Sequence, residues 1–256
     1  MQPVIVMPMH DPSGRMFPHL AAVTPQLKTI FARAFISITS ITSQTQARYI
    51  AQLEEDGFFR IIYHPFDRPV GDDFLGLYKY AAAGCHPHQV LHLCFIDRVA
   101  FALQSHHEAQ FVTDIQAVRQ ENTPLIFQRS TTAWATHPRN YRELEQTVTR
   151  AGEFLFKRSL DFAWCHLAVQ AGQLQQILSS IKNHDISMVA EIVLGLKDRI
   201  QTKDVDWLAW EDPFIYSADP QQLKQEREQS HQETRYRLAY IIPMLQLLKE
   251  AGNEIH

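Results

Sequence analysis

Short apolar runs alternate with amphipathic stretches along the first hundred residues, and the alternation is regular enough to set a fold class. Pro3–Met7 is a β-branched run that reads as a strand, and the spacing of Leu27, Ile30 and Phe31 predicts a helix over Pro25–Ala34. The pattern repeats as strand Ala34–Ile38, helix Gln44–Glu54, strand Phe58–Tyr63, helix Phe74–Ala83, strand Gln89–Asp97 and helix Val99–Gln104. Strand–helix pairs in succession, with connections long enough for crossovers, specify an α/β fold. Its core is a mostly parallel twisted sheet with helices on both faces, a Rossmann-type layout.

The second half alternates less cleanly. His107–Arg119 and Arg139–Phe156 read as helices around a strand at Pro124–Arg129, and Leu160–Val169 reads as a strand or extended core segment. Helices at Gly172–Ile181 and Ile186–Leu196 precede a last strand at Val205–Trp210. From Asp219 a long helical pattern begins polar and ends apolar, and Pro243 is expected to kink or restart it. Its apolar end is expected to pack on the domain, with a homodimer seam as the alternative. The chain is thus read as a single domain over 1–256: residues 3–104 as a nucleotide-binding half, 105–217 as an acceptor-side half and 218–256 as a C-terminal helical segment.

The run Val90, Leu91, Leu93, Cys94, Phe95, Ile96 ends on Asp97-Arg98. An apolar run closed by an ionisable pair reads as a buried parallel strand, and ligands of open α/β sheets bind beyond the carboxyl ends of such strands. Asp97 and Arg98 are therefore candidates to meet a substrate or metal; for Asp97, capping the next helix is the alternative. Arg129, at the end of its own strand, would face the same crevice.

Composition narrows the partners. The 256 residues carry a net charge of −4, which gives no general attraction for nucleic acid or an anionic membrane. No apolar run approaches the ~20 residues of a membrane span. Cys85, Cys94 and Cys165 have no CxxC spacing, which argues for a reducing compartment and a cytoplasmic location. Gly14 stands alone in the first loop, so the dinucleotide fingerprint and the P-loop are both missing.

Several motifs carry a second reading. His86, His88 and His92 are close in sequence, but strand alternation turns His92 away from the loop pair and a zinc site needs a further ligand or an open position. Cys165-His166 suggests thiol catalysis, although buried cysteine is the commoner case. Asp72-Asp73 suits a helix start, and Glu211-Asp212 either supplies an active-site acid or forms a surface pair before Pro213.

The order of elements from Pro3 to Trp210 resembles the GT-A family of nucleotide-diphospho-sugar glycosyltransferases. Val4–Asp11 matches that family's first strand and Pro-containing loop, and Ile38–Ser43 its polar turn at the nucleobase side. Gly71–Leu77 (GDDFLGL) matches its glycine-bearing loop, with Asp67 and Arg68 just upstream. Leu93–Arg98 (LCFIDR) matches its DxD strand, and Asp185–Asp212 its acid-bearing helix and following strand. The resemblance implies sugar transfer from a nucleotide-diphosphate sugar to an acceptor hydroxyl with a divalent metal, Mn or Mg. It implies Asp97 as metal ligand and Glu191 or Asp185 as catalytic base. It also implies Pro8, His10, Asp11, Ser40, Gly71, Asp72, Arg98 and Arg129 at the nucleotide or phosphates. The chain departs from the family where Phe95 stands in place of the first DxD acid and Thr39 and Ser40 in place of acids. That departure supports a second expectation: a catalytically inactive binding or scaffold protein on the same fold.

Overall fold

A computed structural model describes residues 1–65 and 68–253, so Asp67 and the last three residues of the C-terminal segment lie outside the described residues. The first half runs β1 (Val4–Met9), α1 (Met16–Ile30), β2 (Ala34–Thr39), α2 (Ser40–Thr45), α3 (Ala47–Glu55), β3 (Phe59–His64), α4 (Val70–Ala83), β4 (Val90–Cys94) and α5 (Ile96–Leu103). The second half runs α6 (Glu108–Ala117), β5 (Leu125–Arg129), α7 (Thr131–Thr136), α8 (Arg139–Phe156), β6 (His166–Gln170), α9 (Ala171–Leu178) and α10 (Met188–Leu196). It continues with β7 (Gln201–Val205), α11 (Asp212–Tyr216), α12 (Pro220–Gln229) and α13 (His231–Asn253).

The seven strands among the described residues form one sheet in the order β3-β2-β1-β4-β6-β5-β7. β6 runs antiparallel to both its neighbours, and the other six share a direction. The α/β class and the mostly parallel sheet expected from the alternation are therefore observed. β1 shows why: all six of its residues are buried, with Ile5, Met7 and Met9 in one core and Val4 and Val6 in the other. A central strand covered on both faces needs an almost continuous apolar run. One layer is built by α1, α3, α5 and α6, the other by α4, α8, α9, α10 and α13.

Several boundaries differ from the sequence reading, each for a local reason. α1 starts at Met16 rather than Pro25, because the Asp11 carboxylate accepts from the backbone N–H groups of Arg15 (3.1 Å) and Met16 (2.7 Å) and starts the helix early. Gly71, Asp72 and Asp73 belong to the first turn of α4 and not to a loop. The last strand is the polar Gln201–Val205, not Val205–Trp210. β7 is an edge strand paired only with β5, and polar residues suit such an edge. The apolar Trp207-Leu208 is instead a buried connection, with Trp207 Nε1 donating to Asp114 Oδ2 at 2.8 Å. Leu160–Cys165 is likewise a buried irregular segment, and β6 begins only at His166.

Pro243 neither ends nor restarts the last helix. α13 runs through it, and the break falls at Ser230, after α12. Ile241, Met244 and Leu248 are buried in the same core as α4 and α8, so the apolar end packs on its own domain. No helix among the described residues is long and apolar enough to cross a membrane.

Gly71 has a packing role. A Cβ there would lie 2.4 Å from the carbonyl oxygen of Asp185 and 2.5 Å from His184 backbone atoms. Backbone cannot swing aside as a side chain can, so Gly71→Ala is expected to lower stability by about 1–3 kcal/mol through overpacking. This exceeds the gain of about 1 kcal/mol that alanine brings to a helix interior. Urea unfolding of the two proteins checks it.

Candidate functional site

The strand order sets where a ligand can sit. The chain builds outward from β1 through β2 to β3, then crosses back to lay β4 on the other side of β1. The strand order thus reverses between β1 and β4, and in open α/β sheets a crevice lies beyond the carboxyl ends of the strands at such a point. A cleft of about 1020 Å³ occupies that place, lined by Pro8, His10 and Asp11 after β1, Thr39 at the end of β2, and Asp97 and Arg98 after β4. Arg129 closes β5 on the same wall, and Cys165 reaches it because reversed β6 presents its amino end there. Glu211, Asp212 and Tyr216 around α11 form a further side, and Tyr236, Arg237 and Tyr240 of α13 form the roof.

The wall is a set of arginine–carboxylate contacts. Arg98 forms an ion pair with Glu211, and both side chains are largely buried. The guanidinium of Arg129 lies 3.2 Å from Glu145 and 3.7 Å from Asp161, donates to Cys165 Sγ at 3.0 Å, and stacks over Trp134. Glu145 also accepts from Arg237 at 2.8 Å, whose guanidinium sits 3.8 Å from the centre of the Tyr141 ring. Arg227 pairs with Glu233 and lies 3.6 Å from Asp212. Among the described residues, five arginines line the cleft (Arg15, Arg98, Arg129, Arg227, Arg237) against seven carboxylates: Asp11, Asp73, Asp97, Glu145, Glu211, Asp212 and Glu233. With all of them ionised the wall carries two more negative charges than positive.

Two of these acids are shifted. Burial pushes the Asp212 carboxyl up, the Arg98 and Arg227 charges partly offset this, and the Asp97 charge adds to it. Asp73 is pushed up to about 6, mainly by burial and then by the neighbouring Asp72 charge. Burial also raises the Cys165 thiol despite the Arg129 charge beside it.

The residues singled out in the sequence divide into two groups. Pro8, His10, Asp11, Asp97, Arg98 and Arg129 do meet in the cleft. Asp97 sits in the first turn of α5, where its Oδ1 accepts from Arg98 N–H at 2.8 Å. Asp11 is engaged in starting α1 and in accepting from Ser13 Oγ. His10 Nδ1 lies 2.9 Å from Thr39 Oγ1. Ser40, Gly71, Asp72, Asp185 and Glu191 do not form the cleft wall.

Both carboxylate oxygens of Glu191 accept from the Lys182–Asn183 segment, at 2.7 to 3.0 Å, so it fixes a loop. Asp185 accepts from Ser187 N–H at 2.8 Å just before α10. Asp72 pairs with His184 at 2.5 Å, joining α4 to the same loop. The acids that do reach the cleft on this side are Glu211 and Asp212. Glu145, Arg227 and Arg237 were missed. Their one signal is helical: Tyr141/Glu145 on α8 and Glu233/Arg237 on α13 recur four residues apart, beside apolar positions of the same helices.

The histidines regroup as well. His86 and His88 are exposed, whereas His92 is buried with its Nε2 2.8 Å from Nδ1 of His166. Cys94 stands opposite His166 in the β4–β6 ladder, and ligand atoms of His92, Cys94 and His166 all lie within 4.8 Å of one another, a group able to hold a metal ion.

Asp73 gives a pH-dependent outcome. Its raised pKa means that the folded state holds the proton more tightly. The stability this contributes is fully present below the ordinary value of 3.8 and is lost as pH rises through about 6. Asp73→Asn is expected to gain stability relative to the parent as pH rises from about 4 to about 7, read by urea unfolding across that range. No family model, curated protein or solved structure matches this chain.

Proposed function

We propose that the cleft binds a nucleotide-diphosphate sugar together with a divalent cation, and that the chain transfers the sugar to an acceptor hydroxyl. The observation that carries this reading is the position of Asp97 and Arg98 at the switch-point crevice, within a wall that is acidic overall. A diphosphate is repelled by an acidic wall unless a cation accompanies it. Asp97 offers the oxygen donor that magnesium and manganese prefer, and those ions take most of their remaining ligands from water and phosphate. When bound, the cation would offset the charge that builds on the diphosphate as it leaves.

The chain's own residues have distinct tasks in this reading. Arg98, held by Glu211, presents a planar fork suited to phosphate oxygens. Asp212 takes the proton of the acceptor hydroxyl as the new bond to the sugar carbon forms and the bond to the diphosphate breaks. A carboxyl pushed up by burial is closer to a working pH than an exposed one, which favours it as a base. Asp212 therefore replaces Glu191 and Asp185 in that role, since neither of those reaches the cleft.

The second reading, a binding or scaffold protein without turnover, has its own observation. Phe95 stands where the resemblance places the first metal-binding acid, and its ring packs on Phe74 with centroids 5.7 Å apart. That side of the cleft is thereby apolar. Thermal shifts with UDP- and GDP-sugars that are unaffected by manganese would favour this reading.

Calorimetric titration with UDP and GDP, with and without manganese, tests the first. Metal-dependent binding that weakens at least about tenfold in Asp97→Asn is expected. Asp212→Asn should keep that binding while transfer falls by about a hundredfold or more. Binding that ignores both the metal and the Asp97 substitution would reject the cation site, and undiminished transfer by Asp212→Asn would reject the base.

A further inference from the structure

The sheet has one seam. β1 to β4 form its first half, β5 and β7 the far edge, and reversed β6 joins them through β4. Across that seam Cys94 pairs in register with His166, and His92 lies two residues before Cys94 on the same strand. Alternation along a strand, and direct opposition across an antiparallel pair, put all three side chains on one face of the sheet. The residues there are otherwise apolar: the rings of Phe31 and Phe127 lie 5.9 and 5.8 Å from that of His92, and Trp207 meets the His166 ring edge-on at 4.9 Å.

Two imidazoles and a thiol are an unusual filling for such a place, where leucine or valine would pack without polar atoms. The three residues are 0–1% exposed. Contact between His92 Nε2 and His166 Nδ1 accounts for one nitrogen of each ring, but the outer nitrogens, His92 Nδ1 and His166 Nε2, have no partner. Buried polar atoms without partners forfeit the hydration they would have in water and gain nothing in return. Burying two such rings for the sake of one mutual hydrogen bond is therefore a poor exchange. Ligation would give the group a purpose that packing does not.

We infer that His92, Cys94 and His166 form a buried site for a single soft metal ion, Cu(I), that bridges β4 and β6. The donor set is two imidazole nitrogens and one thiolate, which selects soft ions over magnesium, manganese or calcium. Among the described residues no fourth histidine, cysteine or carboxylate joins the group. Zinc in structural sites is almost always held by four ligands. Charge points the same way: Cu(I) with one thiolate and two neutral imidazoles is neutral overall, whereas zinc would leave a net positive charge in an apolar core. Binding releases the Cys94 thiol proton to solvent. The nitrogen pair must part slightly to admit the ion, a movement within the broad torsional well of an imidazole ring. The site lies three residues before Asp97, and a bridged β4–β6 seam would hold that end of the strand in register with the rest of the sheet.

The test is made on the whole protein, expressed with added copper and purified without oxygen. One copper per chain is expected, with X-ray absorption showing both sulfur and nitrogen neighbours. Titration against a chromophoric Cu(I) chelator should show affinity falling at least about tenfold in Cys94→Ser and in His92→Gln, and unchanged in Cys85→Ser. Circular dichroism identifies any variant that fails to fold. The wild-type result decides in that event, because it needs no substitution. Substoichiometric copper, copper with oxygen and nitrogen neighbours alone, or zinc taken up in its place would each overturn the assignment.

Discussion

Glu145 joins two arginines from different elements: it accepts from Arg237 of α13 and forms an ion pair with Arg129 at the end of β5. Through this one carboxylate the sheet, α8 and the roof helix are tied together beside the cleft. Removing one partner from such a buried set strands a charge in low dielectric, at a cost of about 3–5 kcal/mol. The Trp134 ring over Arg129 and the Tyr141 ring over Arg237 occupy the guanidinium faces, leaving their edges for the carboxylates. The polar wall of the cleft is therefore a fixed scaffold.

Electrostatics and topology converge on the same place for independent reasons. The crevice lies where the strand order reverses between β1 and β4, which is a matter of connectivity alone. Its charges come from segments far apart in the chain: Asp97 and Arg98 from the middle, Glu211 and Asp212 after the last strand, Arg227 and Arg237 from the final helices. The His92, Cys94 and His166 group lies within the α1-side core. The two features of chemical interest lie close along the chain, at β4 and just after it, but do not share an environment, one lining a cleft with charged walls and the other lying in an apolar core.

What could be read from the chain follows from what is local. The alternation of apolar runs and amphipathic stretches is local, and it predicted the α/β class, the first strands and the helix Arg139–Phe156 at its observed limits. Asp97, Arg98 and Arg129 were legible because each stands at the end of an apolar run. Glu191 was singled out by its place in the resemblance, and here its carboxylate holds a neighbouring loop outside the cleft wall. Val205–Trp210 misled because a buried connection is as apolar as a buried strand, while the true edge strand is polar. The Glu145 junction was invisible, since its partners lie sixteen and ninety-two residues away and only the fold brings them together.

The roof of the cleft is α13, which lies against α8 and carries Tyr236, Arg237 and Tyr240 over the opening. A ligand that touches this roof binds best when the helix is docked, so occupancy and docking are thermodynamically linked. By reciprocity, any condition that loosens α13 weakens the ligand by the same factor by which the ligand tightens α13. The helix is thus a gauge of the cleft's contents: its amide protons should exchange with solvent more slowly when the cleft is filled, even though the sheet beneath stays as it is.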